Sequence, residues 1–203
     1  KYVFSTDHKV IGIQYAVTSL FFLMFGFSLM MLMRWQLAYP GQPLPLIGTW
    51  FGEERMPGGV MTPDFYNELG AMHGTIMVFL GVVPLGVGGF GNYVLPLQIG
   101  AKDMAFPRLN MMSYQFFFVG GVMMLATFFM PGGAAQSGWT SYSPLANINP
   151  GQTGWILAMI FIITSSLLGA INFIVTTIQL RTKGMSFWRF PFFVWAQFVT
   201  SFL

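Results

Sequence analysis

His73 is the side chain whose surroundings in the sequence point most directly to chemistry. It lies near the start of an uncharged apolar stretch that begins at Ala71. An imidazole in such a stretch is costly to desolvate and usually functional, and its neutral form is a good ligand for haem iron or another transition metal. A histidine that only hydrogen-bonds a neighbouring helix is an equally weighted alternative. The only other histidine, His8, lies in a different stretch, at its opposite end, so the two cannot share one metal ion.

Asp103 is a second candidate, because it is the only acid in the short segment from Gly100 to Arg108. It could collect protons at the mouth of a water-filled path, or it could form a surface ion pair that stabilises the fold very little. The uncharged polar residues that could hold a file of water above it are Asn92, Asn110, Asn172, Ser165 and Ser166. Polar side chains also join helices within membranes, so their spacing leaves both interpretations open.

The composition of the chain indicates a membrane protein. Hydrophobic residues make up 55% of the sequence and charged residues 7%, whereas soluble domains carry about 25% charged residues. The nine Lys and Arg residues are spread along the chain and form no basic patch for a nucleic acid. There is no cysteine, which excludes disulfides and thiolate ligands. Gly86–Gly91 spells G-x-G-x-x-G, but it lies within an apolar stretch that no strand precedes, which excludes a dinucleotide site.

Long, continuous apolar stretches predict an all-α membrane protein, with residues 1–203 forming a single transmembrane helix bundle. The predicted spans cover about 10–34, 70–98, 110–130 and 154–180, and a fifth, incomplete span covers 191–203. A bilayer core of about 30 Å requires about 20 residues of helix, which the first four spans provide. Because half a helix would leave carbonyl groups unsatisfied in hydrocarbon, we expect further chain or a second polypeptide to complete the fifth.

The positions of the basic residues predict the orientation. Seven of the nine fall on one side of the predicted spans, which places the N-terminus inside; they are Lys1, Lys9, Lys102, Arg108, Arg181, Lys183 and Arg189. Asp103 then lies at the inner surface. His73 and Arg34 lie near the outer surface, where they could meet at one ligand. Arg34 could equally be a basic side chain that only reaches towards the membrane surface.

Several motifs resemble those of subunit I of the haem-copper oxidases, in the same order along nearly the whole chain. They are Ser5–Gly12, His73–Met77, Gly88–Asn92, Asp103–Asn110, Gly138–Leu145 and Gly169–Phe173. The resemblance is strongest to the A-type branch of that family, whose members couple the reduction of oxygen to the pumping of protons.

The resemblance implies a role for each candidate residue. His73 would be an axial ligand of the low-spin haem iron, and Arg34 would meet the periphery of that haem. Asp103 would open a D-type proton pathway lined by Asn92, Asn110, Asn172, Ser165 and Ser166. Trp139 and Tyr142 would lie near the outer side of the haem. The implied cofactors are haem A, at the low-spin and oxygen sites, and an oxygen-site copper whose ligands lie beyond Leu203.

The resemblance also implies a function and partners. The chain would be part of the catalytic subunit of a terminal respiratory oxidase that reduces oxygen to water with electrons from cytochrome c, and it would be inactive as this fragment alone. Expected partners are a copper-bearing subunit II, a subunit III, cytochrome c, a respiratory supercomplex and membrane lipid. No nucleic acid is expected. The expected location is the bacterial plasma membrane rather than the mitochondrial inner membrane.

Three alternatives remain at this point. One is a quinol-fed oxidase of the same family. The resemblance places the four residues of its quinol site at Phe25, Leu29, Phe65 and Glu68, none of which matches, and this favours cytochrome c as the electron donor. The second is a haem-free proton-coupled transporter, in which His73 would have only a structural role. The third is an inactive assembly fragment.

Overall fold

The computed structural model describes residues 2–203; Lys1, one of the basic residues used to predict the orientation, lies outside the described residues. Within 2–203 the structure is helical and contains no strands. Four helices are long and apolar enough to cross a membrane: α1 (His8–Ala38), α2 (Pro63–Ile99), α3 (Pro107–Phe129) and α4 (Gly151–Gln179). A shorter helix, α5, covers Phe192–Thr200. The predicted all-α membrane bundle is confirmed, while the side on which the N-terminus lies stays a prediction.

Local capping explains where the first two helices begin. The Asp7 carboxylate accepts hydrogen bonds from the backbone N–H groups of Lys9 and Val10 and so caps α1. The Thr62 hydroxyl accepts from Phe65 N–H, and Pro63 occupies the first turn, where its missing N–H costs nothing. As a result α2 begins ahead of the apolar stretch, and its first turns include Glu68.

The four long helices run up and down. α1 and α2 are antiparallel, since Gly12 lies against Gly89 at one end and Met33 lies against Gly70 at the other. α3 and α4 are also antiparallel, with Phe106 beside Asn172 at one end. One end of the bundle, here called the Asp103 end, therefore contains the start of α1 and the α2–α3 connection. The opposite, Glu68 end carries two long loops, 39–62 and 130–150, which contain short helical turns at Gly48–Phe51, Pro57–Gly59 and Leu145–Ile148.

The middle of α2 is wound more widely than a regular α-helix. Ile76–Val82 and Pro84–Gly91 are π-helical, and Val83 N–H donates to the carbonyl of Val78, five residues earlier. Pro84 has no N–H to donate and disturbs the regular ladder around it. The carbonyl of Gly86 accepts a hydrogen bond from Gln197 Nε2 at 3.2 Å. The side chain of α5 thus satisfies a backbone group in the widened part of α2.

The interior of the bundle is mostly aromatic and aliphatic. Phe22, Leu80, Phe117 and Met124 are buried between α1, α2 and α3. Tyr15 stacks on Phe117 with ring centroids 5.1 Å apart. A second cluster at the Asp103 end packs α5 against α2 and α4; it consists of Leu95, Ile99, Met104, Phe173, Phe190 and Val194.

The contact between Gly88 and Tyr15 gives a test of the α1–α2 packing. A Cβ at Gly88 would lie 2.5 Å from Cδ1 of the Tyr15 ring, whereas a Cβ at Gly86, in the same wide segment, meets nothing within 4 Å. We expect Gly88→Ala to lower the free energy of unfolding by about 1–3 kcal/mol through overpacking. Thermal unfolding of the detergent-solubilised complex measures this. Gly86→Ala is the matched control, and equal melting temperatures for the two variants would contradict the described packing.

Candidate functional site

The imidazole of His73 is held by a hydrogen bond that leaves its second nitrogen free. Nδ1 lies 2.8 Å from the carbonyl oxygen of Gly26 on α1. Because a carbonyl oxygen only accepts, Nδ1 carries the proton and Nε2 presents its lone pair. Among the described residues Nε2 has no hydrogen-bond partner. A carbonyl that orients the ring while the other nitrogen binds is the usual arrangement of a metal-ligating histidine, so His73 fits a haem iron.

Gly26 makes this hydrogen bond possible because it has no side chain. A Cβ at Gly26 would lie 2.8 Å from Met77 Sδ, so a larger residue would force either the Met77 side chain or the helix crossing to shift. Met72 and Ile76, which flank His73 on α2, are fully buried and fix the rotation of the helix. His73 itself is half-buried. The sequence thus places the imidazole at a tight helix crossing but leaves one face of it accessible.

Arg34 does not meet His73 within the described residues. It lies on α1 eight residues beyond Gly26, about 12 Å farther along the helix axis. Its side chain is exposed and makes no hydrogen bond or ion pair with the described part of the chain. The guanidinium group is therefore available to a ligand or to a further segment.

Asp103 is half-buried and has no cationic partner. Its Oδ1 accepts a hydrogen bond from Met104 N–H at 2.7 Å. The only ion pair within residues 2–203 joins Arg55 to Glu68, so Asp103 does not pair with Lys102 or Arg108. The surface ion pair that the sequence left open is thus not formed.

Two side chains of α4 hold the segment that follows Asp103. Thr176 Oγ1 accepts from Ala105 N–H at 2.9 Å, and Asn172 Oδ1 accepts from Phe106 N–H at 2.9 Å. Asn172 Nδ2 also donates to the Phe106 carbonyl at 3.2 Å. Asn172 was expected to face the same region, but Thr176 was missed. The signal was available, since residues four apart share one helical face.

A chain of hydroxyl groups lies between α1, α3 and α4. The Tyr15 hydroxyl is 3.1 Å from Ser113 Oγ and 3.0 Å from Ser165 Oγ. Ser113 Oγ donates to the Asn110 carbonyl at 2.7 Å, and Ser165 Oγ donates to the Ser113 carbonyl at 2.6 Å. Tyr15 and Ser113 were not among the sequence candidates. Ser113 could have been found from its position three residues after Asn110, whereas nothing in the sequence marks Tyr15.

Two asparagines carry buried polar atoms without a protein partner. Both side-chain polar atoms of Asn110 and the Oδ1 atom of Asn92 are of this kind. The side-chain Nδ2 of Asn92 donates to the Gly88 carbonyl at 2.7 Å. The backbone carbonyl oxygen of Asn92 lies 2.8 Å from His8 Nδ1. Unpaired buried amides are costly, and ordered water commonly satisfies such groups. These positions are therefore suited to bind water.

A cavity of about 470 Å³ lies between the helices beside these groups. Its polar lining includes Tyr15, Asn92, Ser113, Ser165 and Ser166, and the rest of its wall is mainly apolar. The structure thus brings three of the predicted residues, Asn92, Ser165 and Ser166, to one space. Asn110 and Asn172 do not line it and lie nearer to Asp103. A volume of this size holds several water molecules at about 30 Å³ each.

Trp139 and Tyr142 lie in the loop between α3 and α4. Both are exposed, by 60% and 77%, and the Trp139 ring centroid is 6.3 Å from that of Phe79 on α2. Gln152 ties this loop to the start of α4, because Ser137 Oγ donates to its Oε1 and its Nε2 donates to Ser141 Oγ. Within residues 2–203, no three His, Asp or Glu side chains converge to form a metal site.

Comparisons with known proteins give one consistent result. The family of cytochrome c and quinol oxidase polypeptide I matches residues 10–203. The chain is 44% identical to cytochrome c oxidase subunit 1 of Thermostichus vulcanus, across 100% of this chain and 34% of that protein. It is 43% identical to cytochrome c oxidase subunit 1 of Synechocystis sp., across 98% and 33%. It is 45% identical to a putative cytochrome c oxidase subunit 1-beta of Streptomyces coelicolor, across 98% and 32%. The chain spans about a third of the length of these relatives.

The hydroxyl of Thr176 gives a test of how the Asp103 segment is held. Thr176→Val should leave Ala105 N–H unpaired, because valine keeps the shape of threonine but cannot accept a hydrogen bond. We expect amide hydrogen exchange in residues 103–106 to rise by about tenfold, as the loss of a buried hydrogen bond predicts. Thr177→Val is the matched control, since the Thr177 hydroxyl is buried without a partner. Equal exchange in the two variants would contradict the role of Thr176.

Proposed function

Because the chain belongs to the family of cytochrome c and quinol oxidase polypeptide I, we propose that it forms part of the catalytic subunit of a terminal oxidase that reduces oxygen to water with electrons from cytochrome c. This part would hold one haem and open a proton pathway, while the complete reaction belongs to the longer protein. The observation that carries the proposal is His73, whose Nδ1 is fixed 2.8 Å from the Gly26 carbonyl while Nε2 stays free.

We assign His73 as an axial ligand of a low-spin haem. When bound, the haem iron supplies reversible transfer of one electron at a time. The chain contributes the ligand and its orientation, because the hydrogen bond from Nδ1 to the Gly26 carbonyl fixes the ring with Nε2 free to bind. The exposed, unpaired guanidinium of Arg34 would bind a polar group at the haem periphery, which is the formyl group if the haem is haem A. The guanidinium would then donate hydrogen bonds to the formyl oxygen in place of water.

We assign Asp103 as the entry of a proton pathway. It has no cation beside it in the described residues, so a proton arriving from solvent can bind and leave without breaking an ion pair. The segment after it is fixed by Asn172 and Thr176. Asn110 and Asn92 carry unpaired buried amide atoms that would orient water molecules. Ser165, Ser166 and the cavity they line would continue that water file into the bundle.

The partners and location are proposals that rest on the whole relatives. We propose that the chain assembles with a copper-bearing subunit II and a subunit III, receives electrons from cytochrome c, enters a respiratory supercomplex and lies in a bacterial plasma membrane. Haem A and copper would serve the oxygen site, with copper ligands outside residues 1–203. Trp139 and Tyr142, both exposed at the Glu68 end, would face the outer side of the haem region.

The surroundings of four positions argue against a quinol-fed oxidase. Leu29 and Phe65 are buried in the core, and Phe25 packs edge-on to Phe128 with ring centroids 5.8 Å apart. Glu68 is buried against Arg55. A quinol head group would need an accessible polar pocket at these positions. Their packing supports cytochrome c as the donor.

Replacing the proposed ligand tests the haem assignment. In the complete complex, His73→Ala should abolish the low-spin haem signal in the reduced-minus-oxidised visible spectrum, because no other described histidine can reach the same iron. His8→Ala is the control: it removes the only other imidazole in the chain and should leave that signal in place. An unchanged spectrum in His73→Ala would contradict the ligand assignment and return the residue to a structural role, whereas a wild-type complex without any haem signal would favour the haem-free transporter.

Neutralising the proposed proton entry tests the pathway. Asp103→Asn keeps the size of the side chain but removes its proton-binding carboxylate, so we expect proton uptake to slow by about tenfold or more. The measurement is the rate of pH change on the Asp103 side of the complex reconstituted in liposomes. Asp64→Asn, the same change at an exposed acid at the Glu68 end, should leave uptake normal. Normal turnover and pumping in Asp103→Asn would contradict the assignment.

A further inference from the structure

Glu68 is the most deeply buried acid in the described part of the chain. It lies in the first turns of α2 and is 3% exposed, whereas Asp103 is half-buried. A carboxylate taken out of water destabilises a fold unless charge and hydrogen bonds compensate it. A buried Glu68 in an apolar bundle therefore requires compensating partners. None of the proposed electron or proton steps involves this residue.

The partners of Glu68 come from two other segments. Oε1 accepts a hydrogen bond from Ala134 N–H at 2.9 Å and lies 3.7 Å from Nη2 of Arg55. The same Nη2 donates to the carbonyl of Phe128 at 2.7 Å. One carboxylate and one guanidinium thus join the loop before α2, the start of α2 and the end of α3. We call Glu68, Arg55 and Ala134 the clasp.

The backbone beside the carboxylate is shaped to receive it. Gly133 has a φ of +76°, which a residue with a side chain rarely adopts, and a Cβ there would lie 2.6 Å from Glu68 Oε2. Ala134 and Ala135 are completely or almost completely buried. The close fit of this segment shows that the contact with Glu68 is not an incidental surface pairing.

The segment that the clasp holds leads to Trp139. Asn149 Nδ2 donates to the Ala134 carbonyl at 3.3 Å, and Gln152 then binds the two serines that flank Trp139. The Trp139 ring lies 6.3 Å from Phe79, on the same helix as His73. The clasp therefore fastens one end of the loop whose other end packs beside the helix that carries the proposed haem ligand.

We propose that Glu68 and Arg55 are positioning residues that fasten the 133–141 loop over the end of α2 and tune the haem bound at His73. The tuning part rests on the proposed function, while the fastening part does not. Because Glu68 and Arg55 carry opposite charges, the intact pair contributes little net field at the haem. Losing one partner leaves an uncompensated charge at the level of Glu68, which lies five residues before His73, about 7.5 Å from it along the axis of α2.

The experiment uses five variants of the complete complex, and in four of them it follows amide hydrogen exchange in residues 133–141 by mass spectrometry. Glu68→Leu removes the acceptor of Ala134 N–H, and we expect exchange to rise by about tenfold or more. Arg55→Gln leaves Glu68 buried without its cation and should loosen the loop as well. Glu68→Gln/Arg55→Gln keeps an acceptor and removes both charges, so it should exchange less than Arg55→Gln alone. Glu54→Gln, at an exposed neighbouring acid, should match the wild type.

The midpoint potential of the low-spin haem is the second readout. A purely structural role would not shift this potential in opposite directions according to the sign of the charge that is removed. Glu68→Gln should raise the potential, Arg55→Gln should lower it, and the double variant should lie near the wild type, because oxidised haem is disfavoured by positive charge. Unchanged exchange in Glu68→Leu would overturn the clasp. A loosened loop with potentials that do not follow these signs would overturn the tuning. If His73→Ala retains the haem, the proposed function fails, yet the exchange result still decides the fastening.

Discussion

The close approach of α1 to α2 positions the proposed haem ligand, His73, and the part of the proposed proton pathway at Asn92. Glycines on both helices allow it: Gly12 and Gly26 on α1, Gly88 and Gly89 on α2, each with atoms of the neighbouring helix where a side chain would begin. With the backbones this close, the carbonyl of Gly26 reaches His73 and the carbonyl of Asn92 reaches His8. Backbone groups of one helix thereby orient imidazoles of the other. In a bilayer, where water cannot supply these hydrogen bonds, such contacts largely determine the arrangement.

The two ends of the bundle treat a carboxylate in opposite ways. Asp103 is half-buried and forms no ion pair within residues 2–203, and side chains of α4 bind the backbone of the following segment rather than the carboxylate. Glu68 has a cation, a backbone donor and almost no exposure. The first arrangement leaves the acid free to exchange a proton, whereas the second uses the charge to connect segments. Between them, uncharged amides and hydroxyls span the apolar interior at a lower desolvation cost than further charges would carry.

The parts of this structure that follow from single side chains could be predicted, and those that follow from packing could not. Continuous uncharged stretches are enough to predict four spanning helices, and His73 stands out because an imidazole in such a stretch is rare. Asn172 and Ser165, two of the polar residues singled out from the sequence, are both buried. A carbonyl in the wide turns of α2 is satisfied by Gln197 from α5, and the Tyr15 hydroxyl is bonded by Ser113 and Ser165 from two other helices. Contacts of this kind depend on tertiary packing. The ion pair of Arg55 and Glu68 joins a helix to a loop that has no regular sequence pattern, so no periodicity predicts this contact.

The wide turns in α2 have a geometric consequence for the two sites that this helix serves. His73 and Asn92 are nineteen residues apart, and in a regular α-helix that spacing would point them about 100° away from each other. Both residues nevertheless contact α1. The His73 imidazole binds the Gly26 carbonyl, and the backbone carbonyl of Asn92 binds the His8 imidazole. The π-helical segments between them change the angular phase of the helix, so its two halves follow different registers. The two halves of α2 therefore differ in angular phase, and rewinding the helix to regular geometry would turn either the His73 imidazole or the Asn92 backbone carbonyl away from α1 without breaking the helix.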